Sequence, residues 1–353
     1  MTRRTGLSIV VLMMLILTGC SKQAVDTIMS STDDPLNDVP DVNKQNRKIS
    51  RGINLGNALE APIEGEWGVI LKEDYFRVIK EKGFNSVRIP IKWSAHTTDK
   101  PPYVIDSLFF QRIDWAVNQA LSKGLSVIIN LQHYDELMQD PVKHKERFLA
   151  IWDLISEHYQ NYSADLFFEV LNEPNNQLTS SLWNEYLDEA ISVIRKKNPF
   201  RTIIAGPASW NSMDYLNSLY LPTKDKNIIV TYHYYNPMQF THQGTAWVTG
   251  SEDWLGNTWL GTYEQMNSII QDFDKTLLWS KLSGRPIYMG EFGTYYRADM
   301  GSRAKWTSFI ARQAEQRGFS WAYWEFCAGF GVYDPVKNEW IEPLLNALIP
   351  PAS

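Results

Sequence analysis

The chain has 353 residues, 44% hydrophobic and 21% charged, so it can bury a sizeable core and is not a disordered chain. Its formal net charge of −6, with acids and bases scattered evenly, repels a nucleic-acid backbone and excludes that class of partner. Only Cys20 and Cys327 occur, which excludes a disulfide framework and a thiolate metal site.

At the N-terminus, Arg3 and Arg4 precede an apolar run from Leu7 to Leu17. That run is shorter than the roughly 20 residues a membrane span needs and fits the apolar part of a secretory leader. It closes on Leu17-Thr18-Gly19-Cys20, which resembles a bacterial lipobox. The resemblance implies removal of residues 1–19 and lipidation of the Cys20 sulfur. Losing Arg3 and Arg4 takes two positive charges from −6 and leaves about −8. Residues 20–48 are rich in Ser, Thr, Asp and Asn and lack apolar periodicity, so they are expected to form a flexible tether. The expectation is an exported, membrane-anchored lipoprotein, on the periplasmic face or the cell surface, that touches the membrane only through Cys20.

From residue 49 to 350, short β-rich runs alternate with stretches of helical period. Strands are expected at 52–57, 86–89, 126–130, 166–172, 202–205, 228–232, 287–291 and 320–324. Helices are expected at 72–82, 107–123, 141–159, 180–197, 263–281 and 302–317, with a short irregular connection at 213–219. Gly83, Gly124, Gly284 and Gly318 stand just beyond helices, where a C-terminal cap belongs. Eight strands alternating with helices predict a (β/α)8 TIM barrel in a single domain. The rival is a doubly wound sheet, which would carry a glycine-rich phosphate loop after its first strand. Gly52-Ile53-Asn54-Leu55-Gly56-Asn57 has no such pattern.

Polar residues collect where these strands stop: Asn57, Arg88, Gln132-His133, Asn172-Glu173, His233 with Tyr235, Glu291 and Trp324. In a barrel these positions converge on one mouth. The run Leu166 to Asn172 leads into Glu173-Pro174, where proline ends the ladder and leaves an acid at the strand's mouth. Glu291 between glycines supplies a second carboxylate. Two carboxylates across one bond are what glycoside hydrolysis needs, one as acid and one as nucleophile or base. Arg88 and the Tyr235 hydroxyl suit Glu291 to stay ionised as nucleophile, while Glu173 has no evident cation and suits the acid. A metal-dependent barrel hydrolase would carry His-x-His on its first strand; this chain has Asn54-Leu55-Gly56-Asn57, so no metal and no cofactor are expected.

Arg88-Ile89-Pro90, Leu171-Asn172-Glu173-Pro174, His233-Tyr234-Tyr235 and Gly290-Glu291-Phe292-Gly293 together resemble the motif set of glycoside hydrolase family five, clan A. Residues 54–62 and Phe240-Thr241-His242-Gln243-Gly244 resemble its subfamily 25 of endo-β-1,4-glucanases, some of which cut β-mannan. The resemblance implies a barrel, a retaining double displacement, and a β-glucan or β-mannan substrate. It implies Glu173 as acid/base and Glu291 as nucleophile, Asn172 on the sugar 2-hydroxyl, and Arg88 and Tyr235 orienting Glu291. His133 and His233 would line the reacting-sugar subsite, and Trp324 would stack under that sugar. Asn57, Glu60, His242 and Trp247 would contact hydroxyls or flanking sugars. Gln132 departs from the His pair that relatives commonly carry, which touches subsite preference rather than chemistry. A xyloglucan-preferring enzyme and a non-catalytic glycan-binding lipoprotein are the alternatives; a monomer is expected.

Among the tryptophans, Trp67, Trp93, Trp115, Trp152, Trp183 and Trp279 are expected in packing roles. Trp210, Trp254 and Trp259 lie in expected loops and are candidates for lining a glycan cleft.

Overall fold

Eight runs of β-branched and aromatic residues each pair in parallel with the next, and the eighth pairs back onto the first. The structure, a computed structural model, describes residues 40–351. The leader, Cys20 and the first part of the expected tether lie outside the described residues. The strands are β1 (Arg51–Asn54), β2 (Ser86–Ile89), β3 (Ser126–Asn130), β4 (Leu166–Glu169), β5 (Ile203–Ala205), β6 (Ile228–Tyr234), β7 (Ile287–Phe292) and β8 (Ser320–Tyr323). Helix α1 (Val42–Lys48) precedes the barrel. Parallel neighbours need crossovers, and α2 (Glu73–Glu81), α3 (Ser107–Ser122), α4 (Pro141–His158), α5 (Ser180–Lys197), α6 (Tyr263–Ser283) and α7 (Met300–Gln316) supply them. The fifth crossover is the irregular one, a 3-10 segment at Met213–Ser218. A last helix, α8 (Glu342–Leu348), packs on α7. The closed order β1 to β8 is the (β/α)8 barrel.

The helices begin where a side-chain oxygen satisfies orphan N–H groups. Asp106, Asp140, Thr179 and Asp299 cap α3, α4, α5 and α7, and Thr262 with Gln265 forms a capping box on α6. Gly284 ends α6 at φ 67°, a conformation that costs glycine little.

Two apolar cores result. One lies between sheet and helices; the other fills the barrel with Ile49, Ile128, Phe167, Ile204, Ile229, Tyr288 and Ala322. Much of the tryptophan serves the first core in a specific way. Trp93 Nε1 donates to Asn130 O at 3.0 Å, Trp152 Nε1 to Val170 O at 2.9 Å and Trp183 Nε1 to Gly206 O at 2.8 Å. Each indole buries its ring and spends its one donor on a carbonyl at the C-terminal end of a strand. The outer layer thereby fixes the barrel's mouth.

Three expectations need correction. The tether was expected to run to residue 48, yet 42–48 is helix α1, capped by Asp41. Asn46 Nδ2 donates to Ile287 O at 3.1 Å and Ser320 Oγ to Asn46 Oδ1 at 2.6 Å, so α1 closes the floor at the first residues of β7 and β8. Polar composition concealed a segment whose amides pair with the barrel. β1 stops at Asn54 and β4 at Glu169, so Asn57 and Glu173 stand in loops three and four residues beyond their strands. Trp67, expected in a packing role, is 40% exposed, whereas Trp259, a candidate for the cleft, is buried.

Candidate active site

Side chains alternate along a strand, so residues two apart share a face. Ile128 is followed inward by Asn130, Phe167 by Glu169, and Ile229 by Thr231 and then His233. The barrel interior therefore turns polar towards the mouth, around one guanidinium.

Arg88 on β2 is wholly buried. Its Nε and Nη2 donate to the two oxygens of Glu169 at 2.6 and 2.8 Å. Nη1 donates to Asn54 Oδ1 at 2.7 Å and to Glu291 Oε1 at 2.9 Å, and Nη2 also reaches Asn172 Oδ1 at 2.6 Å. The sequence reading gave Arg88 to Glu291; the structure divides it between two carboxylates. Burial opposes its charge, but those carboxylates outweigh the penalty and hold it ionised.

Glu291 owes its position to an irregularity. Tyr232 pairs with Met289 but His233 pairs with Glu291, which leaves Gly290 as an extra residue on β7. Such a bulge re-aims the side chain after it. A Cβ on Gly290 would stand 2.8 Å from Thr231 Oγ1 and 3.2 Å from His233 Nε2, so only glycine lets the imidazole lie against the strand. Tyr235 Oη donates to Glu291 Oε2 at 2.9 Å.

Glu173 is reached by a short extension beyond β4. Val170 N donates to Ile204 O and Asn172 N to Leu131 O, each at 3.0 Å, so the chain stays tied to its neighbours until Pro174. The Glu173 side chain is 28% exposed, and His233 Nδ1 lies 2.6 Å from its Oε1 and 3.6 Å from Glu291 Oε2. One oxygen of Glu173, one oxygen of Glu291 and a nitrogen of His233 all lie within 4.8 Å of one another. That spacing would also admit a cation, but the Arg88 guanidinium already supplies positive charge to Glu291 at hydrogen-bond distance.

Burial pushes the Glu173 carboxyl up to about 7 against the pull of Arg88, with Glu169 adding to the rise. Burial raises Glu291 too, opposed by Arg88, by the Tyr235 hydroxyl and, when it is protonated at low pH, by His233. The two acids are thus distinguished by their donors and by exposure, Glu173 being the more open of the two. Burial lowers His133, His233 and His242 to about 4, so all three imidazoles are neutral at pH 7.

The other expected site residues surround this pair unequally. His133 turns back at φ 49° with Trp67 edge-on at 5.5 Å. Gln132 is buried and accepts from Asn130 Nδ2 at 2.6 Å. Trp324 is half-buried with its ring against Gly56, where a Cβ would come within 3.0 Å. Glu60 is turned onto its own loop, accepting from the backbone N–H of Asn57 and from Ala58 N at 3.0 Å, and burial pushes it up to about 8. His242 packs edge-on against Tyr235 at 4.8 Å, and Trp247, 63% exposed, stands 5.4 Å from Tyr295.

Sequence reasoning missed Glu169, Asn54, Glu325 and Phe330. Glu169 had a signal: an acid inside an apolar strand run must be paired if buried. Glu325 accepts from the N–H groups of Cys327, Ala328 and Phe330 and shapes the loop after β8; nothing in its sequence neighbourhood marks that.

Comparisons with known proteins agree with this geometry. The family described as Cellulase (glycosyl hydrolase family 5) matches residues 43–329. Endoglucanase H of Acetivibrio thermocellus is 39% identical over 293 residues, which cover 83% of this chain and 31% of that protein. The chain spans about a third of the length of the first curated relatives it matches. Thermotoga maritima Cel5A, solved in complex with cellobiose, is 53% identical with a TM-score of 0.87, over 88% of this chain and 100% of that one. The same protein solved with mannotriose gives 53% identity and a TM-score of 0.86, over the same shares.

Proposed function

The chain belongs to glycoside hydrolase family 5, and from that premise we propose that it is a retaining endo-β-1,4-glycanase acting on β-glucan, with β-mannan as a second substrate. The observation that carries the mechanism is the approach of Glu173 and Glu291 oxygens within 4.8 Å. Retaining enzymes hold their carboxyls about 5–5.5 Å apart, and inverting ones leave several ångströms more for a water between them.

In the first step the Glu173 carboxyl protonates the glycosidic oxygen while the Glu291 carboxylate attacks the anomeric carbon. The leaving sugar departs and a glycosyl ester forms on Glu291. In the second step Glu173, now a carboxylate, takes a proton from water as that water attacks the same carbon and frees Glu291. Asn172 turns its Oδ1 to Arg88, which leaves its amide N–H groups for the sugar 2-hydroxyl. Trp324 offers an apolar ring face beneath the reacting sugar. Mannan enters the proposal because the similar T. maritima protein has been solved with both cellobiose and mannotriose. The leader and Leu17-Thr18-Gly19-Cys20 support a lipid-anchored location.

The test is a panel of cellulose, mixed-linkage β-glucan, mannan and xyloglucan assayed for new reducing ends, with Glu291→Ala in parallel. Activity on a β-1,4-linked polymer, lost in the variant, is expected; undiminished activity in Glu291→Ala overturns the assignment of nucleophile. Trapping with a 2-fluoro glycoside should label the peptide bearing Glu291. A wild type that binds glycans and cleaves none would instead mark a non-catalytic glycan-binding protein, and abolition of activity by a chelator would mark a metal hydrolase.

A further inference from the structure

Glu169 is fully buried inside the barrel, two positions above Phe167 on β4, and is in hydrogen-bond contact with Arg88 through both oxygens. Nothing in the double displacement uses it. A buried ion pair contributes little net stability, because desolvation offsets the attraction, so stability alone is a weak reason for placing one at the centre of the site.

The charges around Arg88 suggest another reason. One guanidinium faces Glu169 on β4, Glu291 on β7 and, farther off, Glu173 beyond β4. The remaining groups around Glu291 are neutral at pH 7: His233 on β6 and the hydroxyls of Tyr235 and Tyr288. The fork geometry matters here. Nε and Nη2 form a bidentate edge taken by Glu169 at 2.6 and 2.8 Å, and Glu291 receives a single bond from Nη1 at 2.9 Å. The stronger half of the cation is spent on the acid that does no chemistry.

We propose that Glu169 is a positioning residue that acts through Arg88: it occupies one edge of the guanidinium, so that Glu291 is oriented by Arg88 without receiving its whole charge, and it thereby sets the pH window in which the pair works. This rests on the glycosidase reading above. A carboxylate that meets an unshared arginine ionises more readily and is a weaker nucleophile. Glu169 also bears on Glu173, whose raised carboxyl it helps to keep protonated. Removing the Glu169 charge therefore makes both reacting acids easier to ionise.

The test is the pH profile of kcat/KM on an aryl β-cellobioside for wild type, Glu169→Gln and Glu169→Asp, with folding checked by circular dichroism. Both limbs of the bell should move to lower pH in Glu169→Gln, by about one unit. Glu169→Asp keeps the charge but withdraws it by one methylene, and should move both limbs less, in the same direction. A purely structural role would lower Tm or turnover and leave the limbs in place. Limbs that stay put in a folded Glu169→Gln overturn the proposal. Should that variant not fold, unmoved limbs in Glu169→Asp do the same. A wild type without turnover overturns the functional reading and this inference with it; an active wild type with fixed limbs in the variants overturns this inference alone.

Discussion

His233 Nδ1 lies 2.6 Å from Glu173 Oε1, and the same nitrogen is 3.6 Å from Glu291 Oε2, so one neutral imidazole spans the gap between the two carboxyls. Because burial lowers His233 to about 4, it acts as a dipole and a spacer rather than a cation. In the tautomer with its proton on Nδ1, His233 donates to Oε1 and leaves Glu173 Oε2 free to carry the proton that the leaving group needs.

His233→Ala should therefore lower kcat by about 10²-fold through misplacement of Glu173, with KM changed little. Steady-state kinetics on a soluble β-glucan, beside a melting curve showing an intact fold, check this. An unchanged kcat would remove His233 from the machinery.

Glu173 must be protonated to act as acid, and burial pushes its carboxyl up to about 7. The alkaline limb of kcat/KM is expected near pH 7. Glu173→Ala should slow hydrolysis of polymers by about 10²- to 10⁴-fold. It should slow the glycosylation step of a dinitrophenyl glycoside far less, because that leaving group departs without a proton. Equal losses in that step on both substrates would mean that Glu173 is not the acid.

Stability should depend on pH in a particular way. Burial raises Glu173 and Glu325 to about 7 and Glu60 to about 8, from an ordinary value of 4.5, so their stabilisation is full below about 4.5 and is lost as pH rises through 7 to 8. His133, His233 and His242, lowered to about 4 from 6.5, act oppositely and lose stability as pH falls from 6.5 to 4. Burial also raises Glu291 and lowers His96, so between pH 4.5 and 6.5 buried acids and buried imidazoles offset each other, and Tm should be nearly level there and fall between pH 6.5 and 8. In Glu60→Gln the final part of that fall, above pH 7, should shrink. Calorimetry across this range checks it, and a Tm that climbs from pH 6.5 to 8 contradicts it.

Much of the architecture is legible in the chain, and what is illegible has a common cause. β2 and β3 fall at 86–89 and 126–130 as expected, because β-branched runs bounded by polar residues have no competing helical period. The acids at Glu173 and Glu291 are visible because Pro174 and two glycines punctuate the runs before them. Glu169 is hidden inside Phe167-Phe168-Glu169-Val170, since its partner Arg88 lies 81 residues earlier and only closure of the barrel brings them together. The bulge at Gly290 is hidden for the same reason: it exists only in the pairing with β6. The helical role of 42–48 is hidden because α1 is held by Asn46 through backbone and hydroxyl partners rather than by an apolar stripe.

That last point has its own consequence for stability. A chain beginning at Ile49 should melt well below one beginning at Pro40, and Asn46→Ala should cost about 1–3 kcal/mol, since it strips partners from buried polar groups. Equal melting temperatures for the two chain lengths would return 42–48 to the status of linker.

Helix α1 also fixes an orientation. It joins the barrel at the starts of β7 and β8, whereas Glu173 and Glu291 stand beyond or at the strand ends. The barrel is therefore sealed at one pole and works at the other, so a change to the seal at Asn46 and a change at the carboxyl pair act on opposite ends of the same strands.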